Sequence, residues 1–417
     1  MSGENVRVLH VVDQLVASSG VASIVMQCIT GIAHIRQDVA LYGRCDGDMG
    51  DVVRDCGGSV YMLPAITQSF GRSFGKAFSR LLQTNEYSII HGHLVNSAFI
   101  YMREAKRAGG SVYGSGRRSV CGSVCGSAGA TTGAPRRIIH AHSAASADTL
   151  PKRLRNDILS HGLSLWADAF IAVSDEAARN AFARRHVEPD KVTVIYNGID
   201  CERFRFDPAV RAQTRQELGL GGDITCVGCV ARFTELKNHK FLLDVFLEMK
   251  KKAECVLVLV GEGKTRRAIA KRVADAGVSG SVLFIEARKD IERLYQAFDV
   301  FMLPSIREGF GLAALEAQCA GVGCVVSESV PRVIACSVGG GSGGSGGGAS
   351  GSGNGGSGIQ FLPLGDKVQW SDTALAIAGR YRSDGSANVI AAKLDNNSMC
   401  DRILTVYESL LGTGSKP

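Results

Sequence analysis

Short, nearly unbroken apolar runs recur along the chain, separated by stretches in which apolar residues return with helical spacing. The runs include VRVLHVV (6–12), DVALYG (38–43), SVYMLPA (59–65), SIIHGHL (88–94), Ile138–Ala141 and AFIAVS (169–174). They continue with KVTVI (191–195), ITCVGCV (224–230), CVLVLVGEG (255–263), SVLFI (281–285), Val300–Leu303, Val325–Ser327 and a segment from Ile359. Runs of this length and purity predict strands covered on both faces, as in parallel sheets. The stretches between them, such as VASIVMQCITGIA (21–33), the region 152–167, EAARNAFARR after a capping Asp175, and 398–411, predict helices. Alternating strands and helices predict α/β architecture, and 417 residues suffice for two domains with separate cores.

Two tracts break the pattern. GGSVYGSGRRSVCGSVCGSAGATTG (109–133) repeats Gly-Ser-Val and has no apolar period, and 339–358 holds only Gly, Ser, one Ala and one Asn. Both read as flexible segments without catalytic content, with the look of engineered linkers. Phe70, Phe74 and Phe78 recur every fourth position with Arg72, Lys76 and Arg80 beside them, predicting an amphipathic helix. Its apolar face suits a core, or a membrane surface carrying a lipid-linked acceptor.

Hydrophobic residues make up 45% and mean hydropathy is +0.07, which excludes a disordered chain. No apolar run reaches membrane-spanning length, and the N-terminus runs straight into a strand, so a cytoplasmic address is expected, at the inner membrane face if the acceptor is lipid-linked. The net charge of +7 is dispersed, which argues against nucleic-acid binding. Among the thirteen cysteines, Cys226, Cys229, Cys255 and Cys324 sit in apolar runs and read as small core residues. The C-x-x-C of Cys226 and Cys229 lies inside a strand, so neither redox nor zinc chemistry is expected of it, and Cys121 and Cys125 read as incidental. Asp46-Gly47-Asp48 reads as a polar turn, so no metal site is predicted.

The richest chemistry lies in FDVFMLPSIREGFGLAALEAQCAG (298–321). A strand, a loop permitted by Gly309 and Gly311, and a helix from Leu312 place free N–H groups where an anion would sit. Glu308 falls in the loop and Glu316 about one and a half turns into the helix. Carboxylates so placed suit sugar hydroxyls.

Pro-Ser-x-x-Glu-Gly-Phe-Gly-Leu followed by Glu-Ala in the helix resembles the donor-binding signature of family 4 glycosyltransferases, with seven residues between Glu308 and Glu316, as in that family. The resemblance implies the GT-B fold, two Rossmann-like parallel-sheet domains facing across a cleft, with the last helix crossing back to the first. It places the domains at 1–190, 191–397 and a returning helix at 398–417. Asn197-Gly198-Ile199-Asp200 with Phe204 resembles the family's crossing into the second domain. Arg232 and Lys237 match positions that bind the donor diphosphate, although Ala231 stands where Gly is frequent. Gly309, Phe310, Gly311 and Leu312 match the donor loop, Glu316 the ribose ligand and Glu308 the contact to the transferred sugar. Gly20 matches the loop after the first strand, where Ser19-Gly20 replaces Gly-Gly. His142 fits the strand-end histidine that contacts the donor sugar, and His140 is expected on the opposite face of the pleat. Glu286-Ala287 replaces a Gly near the nucleotide base.

The resemblance further implies retaining, metal-independent transfer without a cofactor. The donor is a nucleotide sugar, UDP being the expected nucleotide, and the acceptor a cell-surface polysaccharide or lipid-linked glycan, as in capsule or lipopolysaccharide synthesis. A sugar-nucleotide epimerase or hydrolase of the same fold, and a non-catalytic nucleotide-sugar scaffold, are the alternatives.

Overall fold

The structure is a computed structural model that describes residues 6–16, 19–66, 71–110, 134–142, 163–182, 187–336, 358–380 and 382–412. The predicted helix at 152–167 lies mostly outside these residues, as do both low-complexity tracts, Phe70 and the cysteines at 121 and 125.

The apolar runs form two parallel sheets. The first contains β1 (Arg7–Val12), β2 (Arg36–Leu41), β3 (Val60–Met62), β4 (Ile89–Gly92), β5 (Arg136–Ala141), β6 (Ala169–Ala172) and β7 (Val192–Val194), in the order β3-β2-β1-β4-β5-β6-β7. The second contains β8 (Thr225–Val230), β9 (Cys255–Val260), β10 (Val282–Ile285), β11 (Val300–Leu303), β12 (Gly323–Ser327) and β13 (Ile359–Leu362), in the order β10-β9-β8-β11-β12-β13. Each sheet grows one way from its first strand and then reverses. The reversal falls between β1 and β4 in one, with His10 opposite His91, and between β8 and β11 in the other, with Val300 opposite Val227. Such reversals open a crevice at the strands' carboxyl ends, the usual ligand position in open α/β sheets.

The chain divides into two compact units, Met1–Ile195 with Cys400–Pro417, and Tyr196–Met399. The expected boundary near Asp190 shifts, because β7 hydrogen-bonds to β6, with Ile171 opposite Thr193, and so extends the first sheet. The last helix runs Asn396–Leu411, and its residues from Cys400 onward group with the first unit.

The predicted aromatic helix is Arg72–Thr84. Phe74 and Phe78 are fully buried, their rings stacked 5.8 Å apart, so these two rings are spent on the core. Arg72, Lys76 and Arg80 remain exposed. Cys226 and Cys229 are buried within β8, and burial pushes each thiol up to about 12, leaving no reactive thiolate. Asp46 stands at the N-cap position of the helix Gly47–Asp55, which Gly47 and Asp48 begin, where a turn was expected. Among the described residues no helix is long and apolar enough to cross a membrane.

Candidate active site

In the second unit the loops leaving β8 and β11 are tied together at the strand reversal. After β8 the chain passes exposed Arg232 into a single turn, Glu235–Lys237, and Asn238 adopts left-handed backbone before the helix His239–Lys250. After β11, the Ile306 N–H donates to the Leu236 carbonyl at 2.7 Å. That bond brings the Lys237 ammonium onto the Glu308 carboxylate, and the pair is largely shielded from solvent, with side-chain exposures of 21% and 12%. Ser305 Oγ donates to Glu308 Oε2 at 3.1 Å and the Gly309 N–H to its Oε1 at 3.2 Å. A half-screened ion pair with supporting donors holds its geometry better than a surface pair.

Gly311 is the N-cap of the helix Leu312–Cys319, with φ of +95° and no side chain over the first N–H groups. Only glycine suits it, since an added Cβ would lie 3.0 Å from Val330 Cγ1 as well as in unfavourable backbone. The helix therefore starts without a side-chain cap beside the Lys237–Glu308 pair, and its dipole presents a positive end there. Phe310 turns inward, 3% exposed, and stacks on Tyr196 at 6.0 Å. Its ring anchors the glycine loop. Asn197, next to Tyr196, is buried as well. Glu316 accepts from Tyr295 Oη at 2.7 Å, and burial pushes its carboxyl up to about 7, a rise that the Tyr295 bond opposes. Tyr295 was not foreseen, because its reach to Glu316 depends on how two helices pack.

Among the predicted residues, Lys237, Glu308, Gly309, Phe310, Gly311 and Leu312 are thus brought together. Arg232 lies on the Lys237 loop but is exposed, with no carboxylate paired to it among the described residues. Gly20 and His142 belong to the first unit. Gly20 is the exposed first residue of the helix Gly20–Gly31, whose N-cap Ser19 accepts from the Ala22 N–H at 3.3 Å. An added Cβ at Gly20 would touch nothing within 4 Å, so packing does not demand glycine there. Glu286 and Ala287 are exposed after β10.

His142, just beyond β5, stands at the end of an imidazole array. His10 of β1, His91 and His93 at β4, and His140 of β5 share its face, and the His140 and His142 rings lie 4.0 Å apart. His140 therefore does not take the opposite face, because residues two apart on a strand project to the same side. His93 Nδ1 meets His142 Nε2 at 2.7 Å, His93 Nε2 meets His10 Nδ1 at 3.0 Å, and His10 Nε2 meets Gln37 Oε1 at 2.9 Å. In parallel, Tyr407 Oη, His91 and His140 are linked at 2.7 and 3.2 Å. Burial pulls all five imidazoles down, His10 to about 4 and His142 to about 3, so each is neutral at pH 7.

Two triads, His10–His91–His93 and His93–His140–His142, have nitrogens within 4.8 Å of one another and are the described residues most able to hold a metal. Separations of 2.7 and 3.0 Å are those of shared protons. Tetrahedral ligands at about 2.0–2.1 Å from zinc would stand about 3.3 Å apart.

Comparison with known proteins matches both halves. Residues 18–203 match the family model Glycosyltransferase Family 4, and residues 210–335 match Glycosyl transferases group 1. EpsF of Bacillus subtilis (strain 168), which carries a glycosyltransferase name, is 25% identical over 346 residues, 81% of this chain and 83% of that protein. The D-inositol 3-phosphate glycosyltransferase of Mycobacterium ulcerans (strain Agy99) is 32% identical over 182 residues, 42% of this chain but only 36% of that protein. Anabaena HepE, solved with UDP and glucose, superimposes with a TM-score of 0.72 at 18% identity, covering 97% of this chain and all of HepE. WaaG, a glycosyltransferase involved in lipopolysaccharide biosynthesis, gives 0.63 at 13% identity over 97% of this chain and 98% of its own.

Proposed function

We propose that this chain, which belongs to the family 4 glycosyltransferases of GT-B fold, transfers a sugar from a UDP-sugar to a polysaccharide or lipid-linked glycan with retention of anomeric configuration. The observation that carries the reading is the joining of Lys237, Glu308 and the uncapped helix start at Gly311 on one strand reversal. Cleaving a sugar–diphosphate bond leaves negative charge on the departing phosphate and positive charge on the anomeric carbon. Fixed donors stabilise the first without reorganisation, and a carboxylate stabilises the second. Lys237, exposed Arg232 and the N–H groups at 309–312 would take the diphosphate, drawing Lys237 from Glu308. Glu308 is then released toward the transferred sugar. Glu316 would accept from the ribose hydroxyls, a role that needs its ionised form. Asn197 and Gly20 complete the proposed donor contacts, and His142 contacts the transferred sugar.

With retention, the acceptor oxygen bonds the anomeric carbon on the face that the diphosphate leaves, and the departing phosphate oxygen takes the acceptor's proton. Lys237 and the helix start supply the positive charge that a divalent ion would otherwise bring, so turnover is expected to survive EDTA. Support for the UDP-sugar comes from HepE, solved with UDP and glucose. The test is a thermal-shift screen of nucleotide sugars, then mass spectrometry and anomeric NMR of the product. A transferred sugar with retained configuration supports the reading, and release of free sugar or an inverted product contradicts it. Contact with an anionic membrane is part of the same proposal, resting on the exposed stripe of Arg72, Lys76 and Arg80. Absence of liposome flotation at low salt would end that part.

A further inference from the structure

The hydrogen bonds behind His142 have a direction. Gln37, 2% exposed, donates its amide N–H groups to the Cys28 and Ile32 carbonyls at 2.8 and 3.2 Å. Flipping the amide would set its oxygen against those two carbonyl oxygens, so Oε1 must face His10. An amide oxygen only accepts, and His10 Nε2 therefore carries the proton. In a neutral imidazole the other nitrogen is then an acceptor. His10 Nδ1 accepts from His93 Nε2–H, and His93 Nδ1 in turn accepts from His142 Nε2–H. The last nitrogen in this sequence, His142 Nδ1, keeps its lone pair.

We infer that Gln37, through His10 and His93, holds His142 in the Nε2–H form and so makes its Nδ1 an acceptor for a hydroxyl of the transferred sugar. Gln37, His10 and His93 are positioning residues, and the inference rests on the reading that His142 touches the donor sugar. The neighbouring line from Tyr407 to His91 and His140 lacks such a director. A hydroxyl both donates and accepts, and His140 Nε2 at the far end is buried without a partner among the described residues. The two lines thus differ in one respect, an amide fixed by two backbone carbonyls.

The test is the histidine nitrogen spectrum of the full chain at pH 7, with 15N-labelled histidine and long-range ring correlations assigned by single His→Gln variants. His10, His93 and His142 are expected as neutral Nε2–H rings. A neutral Nδ1–H form or an imidazolium at His142 would overturn the inference, as would stoichiometric zinc in the purified protein that EDTA removes with a change in these signals. Gln37→Met keeps the shape and removes the acceptor, and should scramble the three tautomers and raise the KM for UDP-sugar about threefold to tenfold, the scale of one neutral hydrogen bond. Gln37→Glu, buried and protonated, offers the same carbonyl oxygen and should restore the native signals. If the native spectrum is as expected but Gln37→Met scrambles it with KM unchanged, the contact of His142 with the sugar is refuted and the relay behind it stands.

Discussion

Where the first sheet reverses, between β1 and β4, the structure collects five neutral imidazoles in two hydrogen-bonded lines; where the second reverses, between β8 and β11, it collects an ammonium–carboxylate pair and the start of the helix that carries Glu316. Both are the standard ligand position of an open parallel sheet, but they suit different parts of a substrate. Neutral rings hold a pattern of donors and acceptors and cannot compensate a charge. The charged cluster has the chemistry that a diphosphate and a building cation would need. The comparison predicts that charge-removing changes in the second unit are costly to turnover, whereas changes among the imidazoles act through hydrogen-bond direction.

The largest expected effect is that of Lys237→Ala, at about 2–4 kcal/mol of transition-state stabilisation, read as a fall in kcat/KM for a UDP-sugar. Near-native turnover would erase the contrast between the two reversals. Gly311→Ala should destabilise by about 1–3 kcal/mol in urea unfolding, because alanine would sit in left-handed backbone and press on Val330. An unchanged midpoint would show that the loop can relax.

A smaller effect concerns pH. Glu316 in the fold titrates near 7, above the 4.5 of a free carboxyl, so the folded state binds more protons between those values and stability falls as pH rises through that window. Affinity for a UDP-sugar should run the opposite way, tightening up to about tenfold from pH 6 to 8 as the carboxylate forms. Glu316→Gln should flatten that rise, and calorimetric titration at the two pH values decides it. The smallest effect is that of EDTA on turnover, predicted to be nil. A loss restored by added zinc or magnesium would give one of the two clusters to an ion.

Much of the second reversal was legible because its parts are local. A strand, a two-glycine loop and a helix follow one another in the chain, so Glu308, Gly311 and Glu316 could be placed from spacing alone. The pairing of Lys237 with Glu308 required knowing that β8 and β11 are neighbours, which only the sheet order supplies. The imidazole array was less legible. His91-x-His93 and His140-x-His142 were visible as alternations, but His10 and Gln37 join them through neighbouring strands β1 and β2, far away in sequence. The H-x-H spacing itself was the signal that both members of a pair share a face. Phe310 lay within a binding motif, yet its ring packs inward, since a glycine loop needs an apolar anchor. For β7, strand character was readable, but sheet membership was not, because pairing with β6 leaves no mark in a three-residue strand.

The central claim is that the charged reversal of the second sheet grips the donor diphosphate. Thermal unfolding of the native chain and of Lys237→Ala across a titration of UDP-glucose tests it most directly, since a bound ligand raises the midpoint by mass action. The account predicts a concentration-dependent rise in the native chain and a rise at least tenfold less sensitive to ligand in the variant. Equal rises in both proteins would contradict it.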